Sequence, residues 1–265
     1  MTTEGLDADR LGELWDFGDP AASERRFRGE LVTAADRTAA AELRTQLARS
    51  LGLQCRFEEA DRVLDQIDPA AHPPVVGVRC HLERGRLRNS SGDPAAAVPL
   101  FRAAWEQARS ADADFLAVDA AHMLAIADQE RAEEWTGRGL EIVADSADPR
   151  CARWAGSLHN NLGWHRHDTG DYPRALAEFE AALAAYRASG TAEQVRIARW
   201  SVARCLRSLG RLDEALAIQT ELAAGPSDGY VDQELGELLE ALGRPEEAAV
   251  HRAAAARKLG SAGAQ

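Results

Sequence analysis

Apolar residues recur along this chain at intervals of three and four, the spacing that places side chains on one face of a helix. Leu43, Leu47 and Leu51 follow it, as do Leu158 with Leu162, Val202 with Leu206, and Leu235 with Leu239. Each run leads through a short turn into a second segment with a small residue four places before a larger one. Gly92-Asp93-Pro94 with Ala97 and Phe101 matches Gly170-Asp171-Tyr172 with Ala175 and Phe179. Gly210-Arg211-Leu212 with Ala215 matches both, less closely at Gln219. The pattern predicts a repeated helical hairpin. A unit of this size cannot bury its apolar face alone, so its copies must stack.

Anchored on the turn and the small residue, the whole chain can be phased into seven hairpins. The first turns at Gly18-Asp19-Pro20 with Ser23 and Phe27, the second at Cys55-Arg56-Phe57 with Ala60 and Leu64, and the third at Gly92. A degenerate fourth places Ala132, Gly137 and Glu141 where the others carry turn, small and large residues. The fifth and sixth follow Gly170 and Gly210, and the last follows Gly243-Arg244-Pro245 with Ala248. Glycine can end a helix in the left-handed conformation, an adjacent aspartate caps the next helix, and proline is tolerated in its first turn.

The expected fold class is therefore all-α, a right-handed superhelical solenoid of about seven antiparallel helix pairs. One array over residues 1–259 is expected, with hairpins near 4–37, 41–74, 78–111, 115–148, 154–188, 194–226 and 229–259, and a flexible tail at 260–265. Leu11, Leu14, Trp15 and Phe17 offer an apolar cap at the front. The alanine-rich last helix can face water, so a monomer or weak dimer is expected.

Charge changes the picture of partners. The formal net charge of −12 argues against non-specific nucleic-acid binding, which needs a basic surface. Lys258 is the one lysine, so the positive charge is almost all arginine. Cys55, Cys80, Cys151 and Cys205 have no metal or redox spacing and read as small core residues in a reducing compartment. The first ten residues lack the apolar core of a secretory signal, and no apolar run reaches membrane-spanning length. No membrane association and a cytoplasmic location are the expectations.

At the fifth hairpin, Leu162-Gly163, Gly170-Asp171-Tyr172, Ala175, Phe179 and Ala182 resemble the tetratricopeptide repeat, whose signature is a Leu-Gly pair, a tyrosine, then alanine and phenylalanine at these intervals. His159 stands where that family favours tryptophan and Arg166 where it favours tyrosine. The resemblance implies that the first helix of each pair lines a concave face. A stripe at i, i+4, i+7 then runs Thr45, Arg49, Gly52; Leu82, Arg86, Asn89; His122, Ile126, Gln129; Asn160, Trp164, His167; Trp200, Arg204, Arg207; and Gln233, Glu237, Glu240.

Arg86, His122, Asn160, Trp164, His167, Trp200, Arg204 and Arg207 are the groove candidates. Arginine forks hold carboxylates bidentately and aromatic rings supply buried area, which suits a protein or peptide partner of acidic character. The alternative is that Arg204 and Arg207 pair with acidic residues of neighbouring hairpins while Trp164 and Trp200 fill gaps between helices. The lysine and asparagine arrangement by which chaperone-binding members clamp a terminal carboxylate is absent, because the first helices hold no lysine.

Other chemistry finds little footing. His165 and His167 point to nearly opposite sides of a helix, and no ligand-spaced cysteine or carboxylate completes a site with His159. Gly137-Arg138-Gly139 lacks the preceding strand and third glycine of a nucleotide loop. No nucleophile elbow or zinc-protease motif is present. No metal, no cofactor and no catalytic residue are expected. The leading reading is a non-catalytic scaffold that binds a protein or peptide along the concave face. The alternative is a peptide- or metabolite-responsive regulatory receptor acting on a separate partner. An enzyme of helical-toroid type would need carboxylates converging on a cavity, and Glu237 and Glu240 sit on one end helix.

Overall fold

The computed structural model describes residues 8–34 and 36–262, all helix, turn and loop, with no strand among them. They form fourteen α-helices in seven consecutive pairs, as the pattern predicts: α1 Ala8–Leu14 with α2 Pro20–Thr33, α3 Arg37–Leu53 with α4 Phe57–Leu64, α5 Pro74–Ser90 with α6 Pro94–Ser110, and α7 Asp114–Ala127 with α8 Ala132–Asp145. The remaining pairs are α9 Ala155–Asp168 with α10 Tyr172–Ser189, α11 Ala192–Ser208 with α12 Leu212–Ala223, and α13 Gly229–Ala241 with α14 Pro245–Ala262. They divide into two compact units, one ending at Cys151 and the other beginning at Ala152.

The turns follow from their residues. Gly170 takes φ +83° after α9, and Asp171 then caps α10 by accepting from the Arg174 amide. Asp19 and Asp93 cap α2 and α6 in the same way, with Pro20 and Pro94 in the first turn. In the second hairpin Cys55 performs the glycine's role at φ 59°. Gly18 is outside the left-handed region. There Asp16 Oδ1 accepts the Gly18 and Asp19 amides, and the buried Ser23 hydroxyl accepts from the Asp16 amide.

Small-before-large packing sets the spacing within a pair. Ala97, Ala175, Ala215 and Ala248 are fully buried, as are Phe27, Phe101 and Phe179. Each phenylalanine in the central pairs lies against a glycine of the preceding helix: a methyl group built on Gly85 would come within 2.4 Å of the Phe101 ring, and one on Gly163 within 2.6 Å of Phe179. The Leu-Gly element is thus a steric requirement, since a side chain there would displace the ring.

The fourth pair differs from the expected phase. Ala132 is the first residue of α8, a methyl group built on Gly137 would meet nothing within 4 Å, and Glu141 is exposed. Counting from the helix start, Trp135 holds the small residue's place and Gly139 the large one's, so the two sizes are exchanged. The Trp135 ring meets Trp105 edge-on at 5.8 Å and donates its Nε1–H to Asp128 at 3.2 Å.

At the front, Leu11 and Leu14 are buried, while Phe17 is exposed and stacks on Trp15 at 4.6 Å. At the back, α14 carries on through Ala262, and the rest of the expected tail, 263–265, is outside the described residues.

Gln219 occupies the aromatic position of the sixth pair. It is fully buried, and neither its Oε1 nor its Nε2 has a hydrogen-bond partner among the described residues. Such a group costs about 1–3 kcal/mol. Gln219→Leu is therefore expected to stabilise the protein by about that amount, read as a higher urea midpoint at unchanged slope; a lower midpoint would show that the amide is satisfied in solution.

Candidate functional site

The residue that follows the small landmark of each first helix forms one register across the chain. It is Arg49 after Ala48, Arg86 after Gly85, His122 after Ala121, Trp164 after Gly163, Arg204 after Ala203 and Glu237 after Gly236. His122 therefore corresponds to Arg86 and Trp164, one helical turn from the place that the simple stripe gives it.

In the first unit this register carries a buried charge ladder. Arg86 donates to Glu83 at 2.6 Å and, with its other terminal nitrogen, to Asp119. Glu83 and Asp119 are 3% and 4% exposed. Burial opposes the Arg86 charge, but the two carboxylates outweigh it and raise its pKa. Burial likewise works to raise the Asp119 carboxyl, yet the Arg86 and Arg49 charges hold it below its ordinary value. Arg49 is shifted down by burial and by the like charge of Arg86, and its guanidinium lies 5.6 Å from the Trp15 and Phe17 ring centres. Burial drives the His122 imidazole down to about 4, so it is neutral at physiological pH.

In the second unit the register is aromatic. Trp164 packs edge-on against Phe179 at 5.0 Å and lies 5.9 Å from Trp200, which meets Tyr230 at 6.5 Å. The Trp200 indole donates to the Tyr230 carbonyl at 3.3 Å. His167 Nε2 is 2.9 Å from the Ser208 hydroxyl, and its ring stands against Trp164 and Tyr172. Asn160 is half-buried, and its Oδ1 has no hydrogen-bond partner among the described residues.

Arg204 and Arg207 converge on one carboxylate. Arg207 forks onto Glu234 at 2.9 and 3.2 Å, and Arg204 reaches the same group at 3.1 Å. Burial raises the Glu234 carboxyl in spite of the Arg207 hydrogen bonds that oppose it. Pairing between neighbouring hairpins, the alternative drawn from sequence, is what these two arginines show.

Beside Trp200 lies a cavity of about 390 Å³ lined by Glu193, Arg196, Ile197, Trp200, Asp228 and Tyr230. Ile197 is 46% and Tyr230 59% exposed. Arg196 is held by Glu193 at 2.7 Å and Asp228 at 2.5 Å, which leaves the aromatic and aliphatic walls as the accessible contact. Sequence reasoning named Trp200 but missed Ile197 and Tyr230. Neither lies on the i, i+4, i+7 stripe, although both are large apolar residues beside it.

The histidines do not gather. His159 faces Glu178 of α10 at 2.7 Å, whereas His167 faces Ser208 of α11. Among the described residues no group of three or more histidine, cysteine, aspartate or glutamate side chains is placed to hold a metal ion, and no helix is long and apolar enough to cross a membrane.

Two family models describing the tetratricopeptide repeat match the chain, one over residues 154–224 and one over 78–113. These two stretches carry tetratricopeptide repeats. Solved structures share the fold of these repeats. A tetratricopeptide repeat protein from Parabacteroides merdae aligns with TM-score 0.55 at 15% identity over 93% of this chain and 90% of its own. The apo form of RapI aligns with TM-score 0.68 at 12% identity, over 92% and 73%. A Rap protein complexed with competence and sporulation factor aligns with TM-score 0.62 at 14% identity, over 94% and 76%. No curated protein matches the sequence.

Proposed function

We propose that this tetratricopeptide repeat protein is a non-catalytic scaffold that captures a protein or peptide segment on the faces of its first helices. The observation that carries the reading is the cavity beside Trp200, where two rings and an exposed isoleucine from successive first helices form a pocket of about 390 Å³. Its size and apolar walls suit one large side chain of a partner, because buried aromatic contacts supply most of the energy of such interfaces.

Charge complementarity points to an uncharged anchor. Arg196, Arg204 and Arg207 already have internal carboxylates, so an acidic partner would have to displace Glu234 or Asp228 to reach them. An aliphatic or aromatic residue displaces nothing. The groove candidates keep distinct parts in this reading: Trp200 contacts the partner, Trp164 and His167 support Trp200 from the neighbouring first helix, and Arg204 and Arg207 fix α11 to α13.

Trp200→Ala should weaken partner capture by about thirtyfold, the loss of a hot-spot aromatic worth roughly 2 kcal/mol. The measurement is cross-linked capture followed by mass spectrometry, compared between wild type and variant with circular dichroism to check the helices. Undiminished recovery of the same partners by a folded Trp200→Ala protein would dismiss the proposal.

A regulatory receptor is the second reading. It takes support from the Rap fold neighbour that holds competence and sporulation factor. Under it, ligand would change the protein's compactness, which small-angle scattering with and without the captured partner measures.

A further inference from the structure

The last helix, α14, is held to α13 largely by charge. Four places after the small residue Ala248, where the third and fifth pairs carry a buried phenylalanine, stands Arg252. It lies against Gly236 of α13, where a methyl group would come within 2.8 Å of its side chain, and it bonds Glu240 at 2.9 Å. Ala248 and Ala255 are the only buried side chains of α14 among the described residues. By contrast, α13 sends Val231, Leu235 and Leu238 into apolar clusters with residues of α10, α11 and α12.

The tightest polar contact lies at the N-terminal end of α13. Asp232 is 7% exposed and meets two groups of α14, the His251 ring at 2.8 Å and the Lys258 ammonium. Burial works to raise the Asp232 carboxyl, yet the hydrogen bonds from Lys258 and His251 hold it below its ordinary value. Glu247, the other carboxylate beside His251, is held by Arg244 at 2.7 Å. Next to Asp232, a methyl group on Gly229 would come within 2.7 Å of Leu259 and 3.1 Å of the Lys258 Cβ. The end of α14 therefore presses on the first turn of α13.

That turn is also a wall of the cavity beside Trp200, which Asp228 and Tyr230 line. The Asp228 carbonyl accepts the Asp232 amide at 3.3 Å, and the Tyr230 carbonyl accepts the Trp200 indole N–H at 3.3 Å. Removing Lys258 would leave the buried Asp232 carboxylate with His251 alone. A buried charge that loses a partner is costly, and the turn would have to shift to carry it toward water.

We propose that Lys258 is a positioning residue for the Trp200 cavity: its bond to Asp232 latches the end of α14 against the first turn of α13 and so fixes Asp228 and Tyr230 opposite Trp200. The inference rests on the reading of that cavity as the partner's pocket and names what sets its shape.

The test compares the full-length protein with Lys258→Gln, which removes the charge, and Lys258→Arg, which keeps it. Lys258 is partly exposed, so neither change disturbs a core, and circular dichroism checks the helices. In Lys258→Gln, amide hydrogen exchange should quicken about tenfold in α14 and the first turn of α13, the low end of what losing one charge-assisted hydrogen bond gives, while α9 and α10 stay unchanged. The ¹⁵N-labelled Trp200 indole resonance, assigned with Trp200→Phe, should shift as well. Lys258→Arg should match wild type in both measurements, and Asp232→Asn, which breaks the same ion pair from α13, should reproduce the glutamine variant. Equal effects of Gln and Arg, unchanged exchange in Lys258→Gln and Asp232→Asn, or quickened exchange with an unmoved Trp200 indole would overturn the inference. Partner capture is read separately. If capture depends on Trp200 and the indole ignores Lys258, only this inference falls; if the indole follows Lys258 and capture ignores Trp200, the pocket reading falls and the latch stands.

Discussion

Phe179→Ala is expected to destabilise the protein by about 3–5 kcal/mol, the range for removing a buried phenylalanine and leaving its space empty. The ring is completely buried, presses on Gly163 of α9 and supports Trp164 at 5.0 Å. The backbones of α9 and α10 are held by the turn at Gly170 and cannot collapse fully into the gap, so the upper part of that range applies. For a chain of this length the melting temperature should fall by roughly 6 °C or more. Because repeats couple mainly to their neighbours, amide hydrogen exchange should accelerate first in α9, α10 and α11. A change below about 2 °C, under the 1 kcal/mol scale, would mean that the small-before-large packing does not hold this pair together.

Asp119→Ala is the second large effect. It leaves Arg86 buried with Glu83 alone, and breaking one side of a buried ion pair costs about 3–5 kcal/mol. Replacing Arg86 and Asp119 together by leucine should cost clearly less than the sum of the two single changes, because each single change strands the partner's charge as well and the double variant leaves only Glu83 without its arginine. Urea unfolding of the two single variants and the double supplies the comparison. A double variant as unstable as the sum of the singles would show that the residues act independently.

The same carboxylate gives a pH signature. The folded Asp119 pKa lies below its ordinary value, so its contribution is present above the unfolded value of about 4 and is lost as pH falls through the lower folded value. Stability measured between pH 5 and pH 2 should therefore decline less in Asp119→Ala than in wild type.

These results bear on how the fold was legible. The turn at Gly170, the pair Ala175 and Phe179, and the Leu-Gly element at 162–163 are local signals, each requiring one conformation or one size at one place. The fourth pair escaped correct phasing because Trp135 and Gly139 exchange sizes, and a pattern search keyed to small-before-large cannot see an exchange that preserves total volume.

The groove candidates were chosen by spacing along the first helices, and spacing leaves their chemistry open. Arg86, Trp164 and Arg204 do share one register. What each can do depends on partners 30 to 41 residues away on other helices, as Arg86 with Asp119, Arg204 with Glu234 and His167 with Ser208 show. A chain read linearly shows an arginine but not the carboxylate that neutralises it.

By itself, then, the sequence determined the all-helical class, the seven pairs and the inward-facing residues of every pair that keeps the small-before-large pattern, because helix periodicity, caps and close-packing are set by near neighbours. Only the tertiary structure decided which charges are spent internally and that Ile197 and Tyr230 join Trp200 around a cavity. Those outcomes come from side chains of different hairpins meeting in space, where burial and electrostatic pairing depend on every neighbouring helix at once.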